Sequence, residues 1–259
     1  MTAVRLTGIV KRYRAGSGEV EALRGIDLAV ASGESLAITG PSGCGKSTLL
    51  GLIAGLEPPT TGAIVVGDTD ITRLDDRART RFRREAVGLI FQAGDLLPFL
   101  TAVENVDLAL ALLGRSDPAR ARAILIELGL QDHADKLPDQ LSGGQRQRVG
   151  IARALVHGPR LILADEPTGE LDSAAGAAAM DLLQRIHRDL GATLIVVTHD
   201  RSVAGRLDRI VRLQDGQLAD GQLADGEVAA PAAGRTARTA ARPNDPAGDS
   251  ADRTANALV

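Results

Sequence analysis

The sequence predicts an α/β fold with a parallel-sheet core, an antiparallel β subdomain at the N-terminus and an α-helical subdomain inserted in the core. Three observations predict it. Short apolar runs alternate with segments of helical periodicity from Ser35 to His199, the pattern of parallel strands joined by crossover helices. A glycine-rich loop, Gly40–Thr48, joins the first of those runs to a helix start. A helical stretch between Gln92 and Arg160 interrupts the alternation.

The chain of 259 residues is long enough for one large core with subdomains. Charged residues make up 24% and hydrophobic residues 44% of it, an ordinary globular balance. A net charge of −3 gives no basic surface for nucleic acid, so no nucleic-acid partner is expected. Cys44 is the only cysteine; no internal disulfide can form, and a reducing compartment is expected. Neither a membrane-spanning run of about 18 apolar residues nor a signal-peptide core is present. A soluble chain is expected, with any membrane spans supplied by a partner.

The elements follow in order. Residues 3–10 and 20–30 alternate loosely around an Ala15–Gly18 turn and suit two antiparallel strands. Ser35–Thr39 is a buried strand leading into the glycine loop, and Leu49–Gly55 reads as a helix. Pro58–Gly62 breaks the chain before a short strand at Ile64–Val66. Asp75–Glu85 carries Arg77, Arg79, Arg81, Arg83 and Arg84. It reads as a solvated helix face; the alternative, a phosphate or lipid-headgroup patch, is weakened by Asp75, Asp76 and Glu85. Val87–Gln92 is a buried strand, and residues 102–130 turn helical. Arg160–Glu166 is a strand ending in carboxylates, Ser173–Leu190 a helix and Ala192–His199 another buried strand. Asp215–Ala219 suits a hairpin turn and is repeated as Asp220–Ala224. Residues 229–259 are rich in Ala, Pro, Arg and Asp and are expected to be disordered, lacking the apolar surface to offset ordering entropy. The folded part is therefore expected to span 3–228, with the helical subdomain at about 95–160.

Gly40-Pro41-Ser42-Gly43-Cys44-Gly45-Lys46-Ser47-Thr48 fits G-x-x-x-x-G-K-[ST], the phosphate-binding loop. Glycines let backbone N–H groups close on phosphate oxygens, and the helix start adds positive potential. Lys46 is expected on the β- and γ-phosphates and Ser47 on Mg²⁺. Cys44, at a helix N-terminus, is expected to be a reactive thiol of lowered pKa. Asp165-Glu166 closes a buried strand. There Asp165 is placed to hold Mg²⁺ through water, and Glu166 to orient or deprotonate an attacking water. Ser142-Gly143-Gly144-Gln145 precedes the helical run Gln147–Val156. Taken alone, it is either a simple N-cap or a second anion site.

The order of these motifs resembles the nucleotide-binding subunit of ABC transporters over residues 3–228. The resemblance rests on Gly40–Thr48, Phe91-Gln92, Leu141–Gln145, Asp165-Glu166, Gly169-Glu170-Leu171-Asp172 and Thr198-His199-Asp200. It implies an ABC cassette that uses ATP and Mg²⁺. Tyr13 would stack on adenine, a reading preferred to core packing because aromatics are scarce here. Two copies would face head to tail, Ser142 and Gly144 of one acting on the γ-phosphate held by the other. Gln92 would touch Mg²⁺ or the water, His199 the γ-phosphate, and Asp172 would link the two sites. Phe91-Gln92 with Leu96–Val106 is similar to the lipoprotein-release, macrolide-export and cell-division branch. That implies a separate membrane permease, a peripheral position on the cytoplasmic face of the membrane, and docking near Gln92–Asn105 through the apolar connector Asp95–Leu100. Asp95 and Glu170 depart from the branch pattern. A soluble or regulatory ATPase of the cell-division type, without transport, is the alternative.

Overall fold

A computed structural model describes residues 2–16, 18–91, 95–169, 171 and 173–219. Gln92, Glu170, Asp172, the second copy of the repeat and the C-terminal stretch lie outside the described residues.

The N-terminal sheet is antiparallel. Strands β1 (Thr2–Ala15) and β2 (Gly18–Ala31) pair along their whole length, with register shifts on the way. Both are longer than the sequence pattern suggested, because these shifts let each strand bend past the break in its alternation. Val4, Leu6, Ile9, Leu23, Ile26, Leu28 and Val30 point to one core. Strands β4 (Thr61–Val66) and β5 (Thr69–Asp70) complete the order β2-β1-β4-β5.

The second sheet is parallel apart from its last hairpin. It contains β3 (Ser35–Thr39), β6 (Val87–Ile90), β7 (Leu161–Asp165), β8 (Thr193–Val197), β9 (Arg209–Gln214) and β10 (Gln217–Leu218), ordered β10-β9-β3-β8-β7-β6. The β9–β10 turn uses Asp215 and Gly216 at φ 48° and 77°, the left-handed pair of a tight hairpin. The central strands are buried on both faces, which is why they read as unbroken apolar runs. Their period-2 alternation separates two cores. Ile162, Ala164, Leu194 and Val196 face one; Leu161, Leu163, Ile195 and Val197 face the other.

Helix α1 (Lys46–Ile53) packs Leu49, Leu50, Leu52 and Ile53 into the core shared by the two sheets. Helix α2 (Asp76–Ala86), capped by Asp75, has no fully buried residue, as its charge pattern predicts. The other core holds α3 (Ala102–Ala111), α4 (Pro118–Glu127), α5 (Gly143–Leu155) and α6 (Ser173–Leu190). A short α7 (Arg201–Ala204) follows β8. Helix α5 starts at Gly143 rather than at Gln147, because Ser142 and Gln145 form a complete capping box.

The connector before α3 is anchored. Asn105, fully buried, accepts from Leu97 N at 2.8 Å and reaches the carbonyls of Leu97, Leu100 and Thr101 at 3.1, 2.8 and 3.0 Å. Leu96 packs on the helical core while Phe99 stays 72% exposed. Only part of the connector's apolar surface is therefore open to solvent.

Candidate functional site

Strand register builds the site. Ile38 of β3 and Asp165 of β7 both pair with Val197 of β8, and Ile90 of β6 pairs with Ala164. The segments that follow, Gly40–Thr48, Glu166-Pro167, Thr198-His199 and Phe91, thus leave the carboxyl edge of one parallel sheet, where such sheets bind ligands.

The Gly40–Thr48 loop is shaped by what its glycines touch. A Cβ on Gly40 would collide with the Leu213 carbonyl oxygen, and one on Gly45 would stand 2.6 Å from the Ala22 carbonyl oxygen. Gly45 caps α1 at φ 104° without a side-chain hydrogen bond. Pro41, Ser42, Gly43 and Ser47 are exposed and Thr48 half-buried. Lys46 is 9% exposed and donates to the carbonyls of Gly40 and Pro41 at 3.0 and 2.9 Å. Its ammonium thus spans the loop from within. Cys44 corrects an expectation. Its side chain joins the core and is 6% exposed, an environment in which a thiol is inert.

Asp165 and Glu166 diverge. Burial pushes the Asp165 carboxyl above its usual range; Glu166 adds to this, while the Ser47 hydroxyl and Lys46 oppose it. These four side chains therefore interact. Glu166 sits at φ 46°, a costly conformation for a non-glycine residue that tends to cluster at functional sites. Its backbone N–H donates to Val197 O at 2.9 Å. Its carboxylate accepts from Thr198 Oγ1 at 3.0 Å, His199 N at 3.0 Å and His199 Nδ1 at 2.6 Å. The His199 side chain is otherwise open, 75% exposed.

Tyr13 lies beside the loop, not in the core. Its ring is 37% exposed, its hydroxyl donates to Glu57, and Lys11 Nζ stands 4.9 Å from its centroid. Burial and Glu57 raise the hydroxyl pKa, while the Thr48 hydroxyl lowers it. Lys11 is itself fixed by Glu57 at 2.6 Å and by the Pro58 carbonyl at 2.9 Å.

Ser142–Gln145 do not meet this cluster. Ser142 Oγ accepts from Gln145 N at 3.3 Å, Ser142 N donates to Gln145 Oε1 at 2.9 Å, and Gln145 Nε2 is 3.0 Å from His133 Nε2. Among the described residues none of their hydrogen bonds goes to Gly40–Thr48. Gln92 and Asp172 lie outside the described residues.

Sequence reading missed Gln147, Asn105, Lys11 and Glu57. Gln147 had a signal: it shares a helical stripe with Ile151 and Ala154, all buried, so a polar residue was due to enter the core there. Lys11 and Glu57 are far apart in sequence and gave none.

The loop after β3 and the carboxylate pair at the end of β7 define a P-loop nucleoside-triphosphate-binding protein. Comparison with known proteins narrows the class. A family model described as ABC transporter matches residues 23–169. The lipoprotein-releasing system ATP-binding protein LolD of Legionella pneumophila (strain Paris) is 45% identical over 213 residues, 81% of this chain and 94% of the relative. The macrolide export ATP-binding/permease protein MacB of Salmonella typhi is 45% identical over 222 residues, 84% of this chain but 34% of that larger protein. A dimeric structure of an ATP-binding cassette in a post-hydrolysis state, bound to ADP and Pi, superposes with a TM-score of 0.82. It shares 41% identity and covers 86% of this chain and 100% of that one. The chain belongs to the ABC transporter family and is one of its ATP-hydrolysing cassettes. Among the described residues no helix is long and apolar enough to cross a membrane.

Proposed function

We propose that two copies of this chain clamp Mg-ATP head to tail, each nucleotide lying between Gly40–Thr48 of one copy and Ser142–Gln145 of the other, and that hydrolysis drives a membrane permease. The observation that carries this is the convergence of Lys46, Ser47, Asp165, Glu166 and His199 on one sheet edge.

In this reading Lys46 exchanges the Gly40 and Pro41 carbonyls for β- and γ-phosphate oxygens, and the loop amides of Gly43–Thr48 bind the phosphates. Ser47 and Asp165 fit a Mg²⁺ ion: the buried Asp165 carboxyl beside a hydroxyl gains from a cation. No cluster of three or more metal-binding side chains forms among the described residues, which suits an ion that takes other ligands from phosphate and water. When bound, the ion neutralises charge on the phosphate oxygens. Glu166 orients the attacking water and accepts its proton once the Thr198 and His199 bonds yield. His199 turns its exposed ring to the γ-phosphate. Tyr13 offers adenine the ring face opposite Lys11. Gln92 on the ion or the water, and Asp172 between the two sites, complete the assignment.

The permease and the peripheral position on the cytoplasmic face of the membrane are inferred from the names of the LolD and MacB relatives. Support comes from open apolar side chains: Phe99 on the connector is 72% exposed, and Leu112, 49% exposed, lines a groove of mixed charge with Arg77, Arg81, Arg84, Asp76 and Glu85. Residues 3–228 are taken as the cassette, with 229–259 outside its machinery. Glu166→Gln tests the central assignment. It should lower kcat by about 10²-fold or more, retain ATP affinity, and leave an ATP-dependent dimer visible by size exclusion. Normal turnover in that variant refutes it.

A further inference from the structure

Helix α5 does more than present Ser142–Gln145. Just beyond its first turn Gln147 is 1% exposed, and its Nε2 donates to Phe91 O and Pro167 O, each at 3.2 Å. Phe91 precedes Gln92, and Pro167 follows Glu166. Further along the helix, Arg153 Nη1 donates to Asp95 O at 2.7 Å. One helix thus holds the backbone on both flanks of residues 92–94 and beside Glu166. Just past the second anchor α5 rests directly on β6. A Cβ on Gly88 would collide with the Ala154 carbonyl oxygen and stand 2.7 Å from Pro159 Cγ.

The amide of Gln147 is a poor choice for stability alone. Among the described residues its Oε1 is buried with no hydrogen-bond partner, and an unpaired buried acceptor offsets much of what the two donor bonds contribute. A methionine would fill the same length without that cost. What the amide adds is a pair of directed donors, aimed at the residues adjoining Gln92 and Glu166.

We propose that Gln147 and Arg153 are positioning residues that make α5 a strut between the two ATP sites of the dimer. Its N-terminal end reads the partner's nucleotide, while Gln147 and Arg153 set the backbone beside the subunit's own Gln92 and Glu166. The inference rests on the roles proposed above for those residues. Closure of Ser142–Gln145 on one ATP then aligns the hydrolytic residues at the other. The coupling appears as cooperativity in ATP and as loss of kcat rather than of binding when the strut is cut.

The test uses the full chain with Gln147→Met, Arg153→Met and Arg153→Lys. Steady-state ATPase is measured against ATP concentration, together with titration of a fluorescent ATP analogue and thermal melts. Gln147→Met should melt within about 3 °C of the parent. It should bind the analogue within about twofold, lose about tenfold in kcat, and show a Hill coefficient moving towards 1. Arg153→Met should show the same split more weakly, and Arg153→Lys, which keeps a donor, should recover most of it. Should Gln147→Met fail to fold, the Arg153 pair decides by the same criteria. Unchanged kcat and Hill coefficient overturn the proposal, as does a fall in kcat matched by equal losses in analogue binding and melting temperature. Glu166→Gln runs alongside. If it turns over normally, the site assignment falls and this inference with it; if it is inactive while the strut variants are normal, only the strut is removed.

Discussion

Gly40–Thr48 and Ser142–Gln145 are both glycine-containing starts of helices, yet they are prepared for an anion in opposite ways. At the first, Gly45 caps α1 with no side-chain hydrogen bond, so the opening amides await an external acceptor. Its one cation, Lys46, is held by carbonyls of its own loop. At the second, Ser142 and Gln145 satisfy each other. The cap bond to Gln145 N is long, 3.3 Å, and no lysine or arginine occurs among these four residues. In the proposed function the first binds phosphate within a single copy of the chain. The second has its Gln145 amide already capped and carries no cation, so it suits a phosphate of a nucleotide held elsewhere, to which the Ser142 hydroxyl can donate while keeping its cap. The difference fits the roles proposed above, one as the primary site and the other as a sensor for the partner's ATP, a switch set by γ-phosphate contacts.

Mixing two inactive variants would break this contrast most directly. Lys46→Ala disables the loop and Ser142→Arg obstructs the sensor, so each alone should lose about 10²-fold or more in ATPase rate. In a mixed dimer one site combines the intact loop of the Ser142→Arg copy with the intact Ser142 of the Lys46→Ala copy. Half the dimers are mixed and each has one good site, so an equimolar mixture should recover about a quarter of the parental rate where the sites act independently, and about tenfold less where the α5 strut couples them. No recovery, with mixed dimers demonstrated by tagged pull-down, would mean that the two segments serve the same copy.

A smaller effect sharpens the loop side of the comparison. Burial raises the pKa of Asp165, so its ionised form is penalised in the folded state. The penalty is present above the folded-state pKa and is lost as pH falls through it. Asp165→Asn should therefore raise the melting temperature of the nucleotide-free protein at neutral pH, by a few degrees (about 2–5 °C). It should narrow that gap at acidic pH and lower Mg-ATP hydrolysis. A fall in melting temperature would show that Asp165 stabilises the fold and would remove the argument for a cation there.

Most of the fold was legible because its strands carry their own signature. Ser35–Thr39, Arg160–Asp165 and Ala192–Val197 are apolar runs that only a doubly covered parallel strand explains. Strand β9 was missed: Arg209–Gln214 alternates charge with Ile210, Val211 and Leu213, as an edge-like strand would, and only its pairing with β3 reveals its place. The loop and the carboxylate pair were legible because backbone geometry and spacing define them locally. The Glu166 contacts with Thr198 and His199, and the Lys11–Glu57 support of Tyr13, join residues distant in sequence. No local pattern encodes such meetings; they follow from strand order and register.

Cys44 shows where local reasoning inverts, and it gives the smallest of the expected effects. A thiol in a phosphate loop at a helix N-terminus should be acidified by the local potential. That argument fixes where the Cα lies, not where the side chain turns. Here Sγ turns away from the open side of the loop into the core shared by the two sheets, close enough to Gly40 that a Cβ there would stand 2.9 Å from it. In the proposed function the loop accordingly offers backbone donors to the nucleotide while hiding its one soft nucleophile. Native protein should react with a thiol reagent about 10²-fold or more slower than the unfolded chain, at a rate set by local opening. Mg-ATP should slow it further only as far as it stabilises the loop. Cys44→Ala should cost about 1 kcal/mol in stability through the lost core contact and leave the ATPase nearly intact. Rapid labelling of the native protein, fully blocked by ATP, would restore the thiol to the nucleotide surface and make the two helix starts more alike than their caps suggest.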